Sequence, residues 1–247
     1  MTYCIGIRLD EGLVFCSDSR TNAGADRVSA YSKMHRFRPS DNSELVLLTA
    51  GNLATCQAVI AQIERDLVED ADVNIAKVSY VSDAAEYIGE LGLREQSKYT
   101  TAGPGAGFNA EATIIIGGRL HGESIGLYMV YPEGNHIAVS EQFPYLQVGE
   151  TKYGKPILDR IIRPDTPHEI AMRCALVSMD STMRSNATVG PPIELLFYRT
   201  DNRDDTVQYH KFQENDPYLV ELRKRWDQNI RKAFNDLPPL SCTSAAD

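Results

Sequence analysis

The beginning of the chain carries short apolar runs separated by polar turns, a pattern that predicts antiparallel β-strands. The first run, 2–9, and the second, 13–16, flank the turn Asp10-Glu11-Gly12. An acidic residue followed by glycine between two apolar runs is a hairpin signal, because glycine readily takes the positive φ angle that such turns need. The strands of a tight hairpin are antiparallel, so the end of the second strand returns beside the beginning of the first. Residues 17–20 are therefore predicted to lie next to the N-terminal end of the first strand.

Later in the chain, apolar residues recur at intervals of three and four, which predicts amphipathic helices between further blocks of strands. The predicted helices are 53–68, 84–93, 152–163, 167–186 and 217–234, and the predicted strands are 2–9, 13–16, 31–37, 45–50, 112–118, 125–130, 135–139, 145–148, 191–199 and 205–212. This order of strands and helices predicts an α+β fold in which two antiparallel sheets stack and helices cover their outer faces. Such an arrangement is a four-layer αββα sandwich.

Length and charge narrow the classes of protein. Neither an internal repeat nor a linker divides the 247 residues, so we predict a single domain over 1–247, with 237–247 as a loose, Pro- and Ser-rich tail. The net charge of −9 disfavours a nucleic-acid partner, because binding to phosphates needs a concentrated basic face. No apolar run reaches the ~18 residues of a membrane span, and because the opening residues lack a charged segment followed by an apolar one, we expect no leader peptide. We therefore expect a cytoplasmic protein without a membrane partner.

Cysteine and histidine positions give no indication of a metal site. The five cysteines are scattered without a CxxC pair, and the five histidines have no metal-ligand spacing. We therefore expect neither a disulfide framework nor a bound metal.

Thr2 is a candidate nucleophile, because removal of Met1 would place an α-amine and a hydroxyl on the same residue. Initiator methionine is usually removed when the next residue is as small as threonine. An α-amine titrates near ~7.7–8.0, so part of it is unprotonated at neutral pH and able to accept the hydroxyl proton. N-terminal threonines act as nucleophiles in this way. Many chains begin with Met-Thr, so the prediction depends on the residues around Thr2.

Three other positions are predicted to surround Thr2. The hairpin brings Asp18 beside it, and the short segment 31–37 could return Lys33 to the same place. An ion pair between Lys33 and Asp18 would favour release of the Thr2 proton. Gly51 lies at a strand-to-helix junction, where glycine lets a backbone N–H approach a ligand closely, so its amide is the candidate oxyanion donor. Taken singly, these residues also fit a surface aspartate, a solvated lysine and a helix-entry glycine.

An ordered series of short segments runs through the first part of the chain, namely Thr2, Ser17-Asp18-Ser19-Arg20, Tyr31-Ser32-Lys33 and Thr49-Ala50-Gly51. This series resembles the N-terminal half of proteasome-type threonine peptidases, which are the 20S proteasome β-subunits and the bacterial HslV proteases. The longer segments 17–24, 149–156 and 178–186 are similar to the bacterial Anbu family of ancestral β-subunits, and the resemblance spans almost the whole chain. The resemblance implies an N-terminal nucleophile hydrolase fold.

Carried over by position, the resemblance implies the roles of nucleophile, charged pair and oxyanion donor for Thr2 and its three predicted neighbours. It further implies that Arg20 and Thr21 line the substrate groove, where the backbone of Thr21 would pair with an extended peptide. Asp180 would support the terminal amine from a helix end. Glu150 departs from the family pattern, because β-subunits place a serine there, close to the amine. A carboxylate at that position could hold the amine protonated and change its basicity.

The activity implied by the resemblance is that of a threonine endopeptidase that needs no metal or organic cofactor. The implied substrates are peptides or unfolded proteins, and the implied assembly is a homo-oligomeric ring or helical assembly with 53–70 and 81–97 as subunit contacts. An ATP-dependent unfoldase partner is left open. Two alternatives also remain open, namely a weakly active or non-catalytic peptide-binding scaffold and an N-terminal nucleophile amidase that acts on a small molecule.

Overall fold

The fold contains two five-stranded antiparallel sheets. The structure is a computed structural model, and it describes residues 1–22, 28–100, 109–199 and 207–240. The chain divides into two units, Met1–Glu214 and Asn215–Asp247. The strands are β1 Tyr3–Leu9, β2 Gly12–Ser17, β3 Arg20–Asn22, β4 Val28–Ala30, β5 Met34–Ser40, β6 Ser43–Gly51, β7 Ala112–Arg119, β8 Gly126–Val130, β9 His136–Ala138, β10 Tyr145–Gly149, β11 Ile193–Arg199 and β12 Gln208–Phe212. The helices are α1 Leu53–Val68, α2 Val81–Thr100, α3 Lys155–Ile161, α4 His168–Ser185 and α5 Pro217–Asn235.

The first sheet has the strand order β10-β1-β2-β11-β12. Its β1–β2 hairpin has the predicted turn and pairs Cys4 with Ser17. Strand β10 pairs with the other edge of β1 and aligns Gly149 with Tyr3. The N-terminal end of β1 is therefore flanked by the end of β2 on one side and by the end of β10 on the other.

The second sheet has the strand order β5-β6-β7-β8-β9, and helices α1 and α2 pack against it. Helix α4 packs against strands β1, β2 and β11 of the first sheet, and α3 packs against α4. The inner faces of the two sheets contact each other and enclose a core that includes Phe15, Leu48 and Ile115. The predicted four-layer αββα arrangement and α+β class are confirmed.

Strand β1 is buried at every position except Arg8, because one face meets the other sheet and the opposite face meets a helix. A strand covered on both faces needs apolar residues on both, so it reads as a continuous apolar run and not as an alternation. This explains why the opening segments are recognisable in the sequence as uninterrupted apolar stretches.

The structure changes several predicted boundaries. Helix α2 is longer than predicted, and α3 begins at Lys155, three residues later than predicted, with a proline at its start. Proline suits the first helical turn because it has no N–H to leave unpaired there. The short strands β3 and β4 were not predicted, because three residues are too few to give a periodic pattern. They form a separate two-stranded sheet.

The second unit, Asn215–Asp247, contains helix α5. The Asp216 side chain caps this helix by accepting a hydrogen bond from the Tyr218 amide. Residues 237–240, the described part of the predicted loose tail, are exposed and have no helix or strand, whereas 241–247 lie outside the described residues. The organisation of 1–247 as a single domain stays a prediction.

Candidate active site

Thr2 lies immediately before β1 and is held by its backbone at the end of β10. The Glu150 amide donates to the Thr2 carbonyl oxygen over 2.7 Å. Thr2 is 9% exposed, whereas Met1 is 62% exposed. The candidate nucleophile is therefore fixed within the first sheet, while the residue before it reaches solvent.

Gly149 makes this placement possible, although the sequence reasoning did not single it out. Its φ of 84° is a conformation that residues with a Cβ rarely adopt, and a Cβ there would lie 1.9 Å from the Thr2 carbonyl oxygen. Only glycine therefore lets β10 approach the backbone of Thr2 this closely. The signal available in the sequence was the glycine between the strand 145–148 and Glu150.

A matched pair of glycine substitutions should separate this close approach from backbone strain. Gly122 has a similar φ of 78°, but a Cβ there would meet nothing within 4 Å among the described residues. We expect Gly122→Ala to lower the free energy of unfolding by about 1 kcal/mol through backbone strain alone. Gly149→Ala should cost at least about 2 kcal/mol more, because the new methyl group collides with Thr2. Urea unfolding of both variants measures the difference, and equal losses would contradict the proposed contact.

Asp18 contacts the peptide bond that joins Thr2 to Tyr3. Its Oδ1 accepts a hydrogen bond from the Tyr3 amide at 3.0 Å and lies 2.5 Å from Lys33 Nζ. Its Oδ2 accepts from the Gly190 amide at 3.1 Å. The predicted proximity of Asp18 and Lys33 to Thr2 is therefore present, and a single carboxylate oxygen joins the lysine to the amide next to Thr2.

The Lys33–Asp18 pair is withdrawn from solvent, with side chains 7% and 0% exposed. Burial raises the pKa of the Asp18 carboxyl, and the Lys33 ammonium and the Tyr3 and Gly190 amides oppose that rise. Lys33 Nζ also donates to the Arg20 carbonyl oxygen at 2.8 Å. These two contacts hold the ammonium at the end of the β1–β2 hairpin that carries Thr2.

Gly51 ends β6 in a conformation that only glycine adopts easily. Its φ is 107°, and a Cβ would lie 2.3 Å from the Glu111 carbonyl oxygen. In an antiparallel ladder successive N–H groups alternate between the two neighbouring strands. Thr49 donates to Lys33 on the β5 side and Asn52 donates to Glu111 on the β7 side. The N–H of Gly51 therefore points to the β5 side, where the chain carries Lys33.

A cleft of about 350 Å³ lies beside Gly51 and Gly149. It thus adjoins both the candidate oxyanion donor and the glycine that packs on Thr2. Asn52 lines it together with Glu111, whose side chain accepts from Asn109 at 3.0 Å. The remaining lining residues are Ala50, Asn109, Thr113 and Pro132.

Arg20 and Thr21, the predicted groove residues, both lie in β3. The Arg20 guanidinium donates to the Ala187 carbonyl oxygen at 2.8 Å, so its head group lies on the loop after α4. Thr21 pairs with Ser29 of β4 and is partly exposed. Their contact with a substrate stays a prediction.

Glu150 and Asp180 are both buried, at 4% and 6% exposure. The Glu150 carboxylate accepts a hydrogen bond from Asn186 at 3.1 Å and lies 3.5 Å from Lys152 Nζ. Asp180 lies within α4, and Ser178 of the same helix is 2.8 Å from the hydroxyl of Tyr3, the residue after Thr2. The structure therefore ties α4 to the beginning of β1, and the roles of both carboxylates toward an amine stay predictions.

Two buried cysteine thiols flank the site, but neither is suited to act as its nucleophile. Cys4 Sγ lies 3.8 Å from the Thr49 carbonyl oxygen, and Cys56 Sγ lies 3.7 Å from that of Ala50. Burial raises the pKa of Cys4 well above its usual range and that of Cys56 to about 11. The thiolate is the reactive form of cysteine, so both side chains are weak nucleophiles at neutral pH.

Within residues 1–22, 28–100, 109–199 and 207–240, no three or more His, Cys, Asp or Glu side chains come together as metal ligands would. The helices in the same ranges are all too short or too polar to cross a membrane.

Solved structures of Anbu proteins match almost the entire chain. The Anbu (ancestral beta-subunit) from Yersinia bercovieri is 38% identical over 97% of this chain and 99% of that chain, with a TM-score of 0.89. Anbu from Hyphomicrobium sp. strain MC1 is 36% identical over 97% of this chain and 99% of that chain, with a TM-score of 0.87. A helical assembly of the Anbu complex from Pseudomonas aeruginosa contains a chain that is 38% identical over 98% of this chain and 100% of that chain, with a TM-score of 0.88.

Neither a protein-family model nor a curated protein matches the chain. The structural matches nevertheless combine 36–38% identity with nearly complete coverage of both chains, and they confirm the resemblance found in the sequence. This chain therefore belongs to the Anbu (ancestral beta-subunit) family.

Proposed function

We propose that the protein is a threonine peptidase whose nucleophile is the hydroxyl of Thr2 after removal of Met1. One observation carries the proposal. The Asp18 carboxylate binds the amide next to Thr2 and, through the same oxygen, the buried Lys33 ammonium. A buried cation costs free energy unless it is paired. Here Asp18 holds the Lys33 ammonium beside Thr2, the residue that can combine a hydroxyl with an α-amine.

In the proposed reaction, the α-amine of Thr2 takes the proton of its own hydroxyl while Oγ1 attacks the carbonyl carbon of a peptide bond. The Lys33 charge favours negative charge on the attacking oxygen, and the Gly51 N–H donates to the oxyanion of the tetrahedral intermediate. The amine passes the proton to the leaving nitrogen, which departs as the new N-terminus of the product. Water then hydrolyses the ester on Thr2 and restores the hydroxyl.

The proposed substrate is an extended peptide or unfolded protein segment. An extended chain adds to a sheet edge through main-chain hydrogen bonds, and the strand β3 around Thr21 lies next to the Lys33 contact with Arg20. The cleft beside Gly51 is wide enough, at about 350 Å³, to take one substrate side chain. In this proposal Arg20 and Thr21 position the peptide, while Glu150 and Asp180 adjust the amine.

We also propose that this chain is cytoplasmic and that it forms a homo-oligomer. The Pseudomonas aeruginosa relative, which forms a helical assembly, supports the proposed homo-oligomer. Such an assembly would restrict access to Thr2 to unfolded chains, and an ATP-dependent unfoldase would be a suitable partner.

Intact mass spectrometry tests the proposed nucleophile directly. A peptide epoxyketone forms a ring with a hydroxyl and an α-amine on the same residue, so its adduct requires both groups at Thr2. We expect the purified protein to lack the mass of one methionine and to gain one probe per chain. Fragmentation should place the probe on Thr2 and not on a cysteine. Met1 retained in protein that cleaves peptides would refute the mechanism.

The same protein distinguishes the two alternatives. A scaffold that binds peptides without cleaving them would lose Met1 but take up no probe and release no product. An amidase specific for small molecules would take up a small acylating agent while leaving extended peptides intact. Cleavage of peptides with transient acylation of Thr2 supports the proposal against both.

A further inference from the structure

Glu194 is a buried carboxylate that the proposed mechanism does not use. It lies in β11, opposite Ser17 of β2, and is 4% exposed. A buried charge is costly unless hydrogen bonds compensate for the lost water. Its contacts therefore indicate why it is there.

Two serines contact the same oxygen of Glu194. Ser32 Oγ lies 2.6 Å and Ser19 Oγ lies 3.4 Å from Oε2. Ser32 Oγ is also 3.0 Å from the Met34 carbonyl oxygen, and its single proton can serve only one acceptor. The shorter distance and the negative charge favour the carboxylate.

These serines are the chain neighbours of the proposed charged pair. Ser19 follows Asp18, and Ser32 precedes Lys33. The two segments also meet through the Tyr31 amide, which donates to the Ser19 carbonyl oxygen at 2.9 Å. The Glu194 carboxylate thus joins the same two segments that the Lys33–Asp18 ion pair joins.

The other oxygen of Glu194 contacts side chains of a different strand. The Tyr209 hydroxyl donates to Oε1 at 2.5 Å, and Lys211 Nζ lies 3.8 Å from it. Burial and the hydrogen bond to Glu194 raise the pKa of Tyr209, so this hydroxyl stays protonated and remains a donor. Both partners belong to β12, the edge strand of the first sheet.

We propose that Glu194 is a positioning residue for catalysis, holding the segments of Asp18 and Lys33 at the separation that directs the Lys33 ammonium to Thr2. The inference rests on the proposed function. The link through Ser32 acts on the residue next to Lys33, so its loss lets the ammonium shift away from the Asp18 oxygen. A displacement of about 1 Å at a catalytic group can cost about 10²-fold in rate.

The test compares the kinetics of Thr2 acylation by the peptide epoxyketone in five proteins: the wild type, Ser32→Ala, Glu194→Ala, the double variant and Tyr209→Phe. For Ser32→Ala and Glu194→Ala we expect the maximal acylation rate to fall roughly tenfold to hundredfold with an unchanged half-saturating probe concentration. All proteins should reach one adduct per chain, because a slower reaction still goes to completion. A misfolded fraction would instead stay unlabelled. The double variant should be no slower than Glu194→Ala, since both changes remove the same link.

Tyr209→Phe is the matched control, because it removes a partner of the other oxygen of the same carboxylate and leaves the contacts with the serines in place. Its acylation rate should stay within about twofold of wild type. Wild-type rates in Ser32→Ala and Glu194→Ala, or losses that multiply in the double variant, would overturn the inference.

A crystal structure of Ser32→Ala gives a readout that does not depend on activity. We expect Lys33 Nζ to leave hydrogen-bonding distance of Asp18, and an unchanged contact would overturn the inference. If the wild-type protein takes up no probe, the proposed function fails on its own, while the structure of the variant still decides whether Glu194 positions Lys33.

Discussion

Replacing Thr2 with alanine is expected to lower the rate of peptide hydrolysis by at least roughly 10⁴-fold, because the attacking oxygen is lost. The fold should persist, since the contact that holds Thr2 beside Glu150 uses only its backbone carbonyl oxygen. Steady-state cleavage of an unstructured peptide measures the rate, and thermal unfolding measures the stability. The melting temperature should change little.

Thr2→Ser is the matched control for this substitution. It keeps a hydroxyl and an amine on one residue, so it should retain acylation by the epoxyketone and a substantial part of the hydrolysis rate. Thr2→Ala should take up no probe. Hydrolysis at the wild-type rate by Thr2→Ala would mean that another group is the nucleophile, and the assignment of the active site would then be wrong.

Replacing Lys33 with alanine is expected to be nearly as damaging, with the hydrolysis rate falling by roughly 10³-fold. This variant should also lose about 3–5 kcal/mol of unfolding free energy, because it leaves the buried Asp18 carboxylate without its cation.

In Lys33→Ala, burial raises the pKa of the Asp18 carboxyl with less opposition, because the Lys33 ammonium is gone. A carboxyl whose pKa is higher in the folded than in the unfolded protein stabilises the fold more as the pH falls. The stability of Lys33→Ala relative to the wild type should therefore recover as the pH is lowered toward the ordinary pKa of an aspartate, ~3.9.

Two further variants separate stability from chemistry. Asp18→Asn combined with Lys33→Met removes both buried charges, so it should regain part of the lost stability while remaining inactive. Lys77→Ala removes the cation of a surface ion pair with Asp70, whose side chain is 83% exposed, and should cost about 1 kcal/mol or less with normal activity. Full activity in Lys33→Ala would show that the charged pair is not part of the catalytic site.

Much of the fold was predictable because its elements are long or fully covered. Helix α1 begins at Leu53 and ends at Val68, as its apolar spacing predicted. The continuous apolar runs of β1 and β2 identified the opening hairpin. Strands β3 and β4 were missed because they consist of three residues each, which is too few to give a periodic pattern.

In the candidate site, residues placed by local strand pairing were predictable, whereas groups that come from distant segments were not. Asp18 was predictable because it lies at the end of a hairpin, where sequence separation and strand pairing determine its position. The Gly190 amide that binds Asp18 and the Gly149 backbone that packs on Thr2 were not, since each arrives from a distant segment. Glu194 reads in the sequence as an ordinary polar position, and only its contacts with the two serines reveal its place beside the charged pair.

The sequence by itself determined the layered fold, because hairpins and apolar runs act between near neighbours in the chain, while its resemblance to the Anbu family indicated the family and the residue types of the proposed chemistry. Only the tertiary structure decided which distant groups join the end of the hairpin that carries Thr2 and Asp18, since the end of β10, the loop after α4 and strand β11 meet it across large separations in the chain. These contacts form only when the two sheets and their helices pack against each other and exclude water. That packing is a property of the whole fold and leaves no local signal in the sequence.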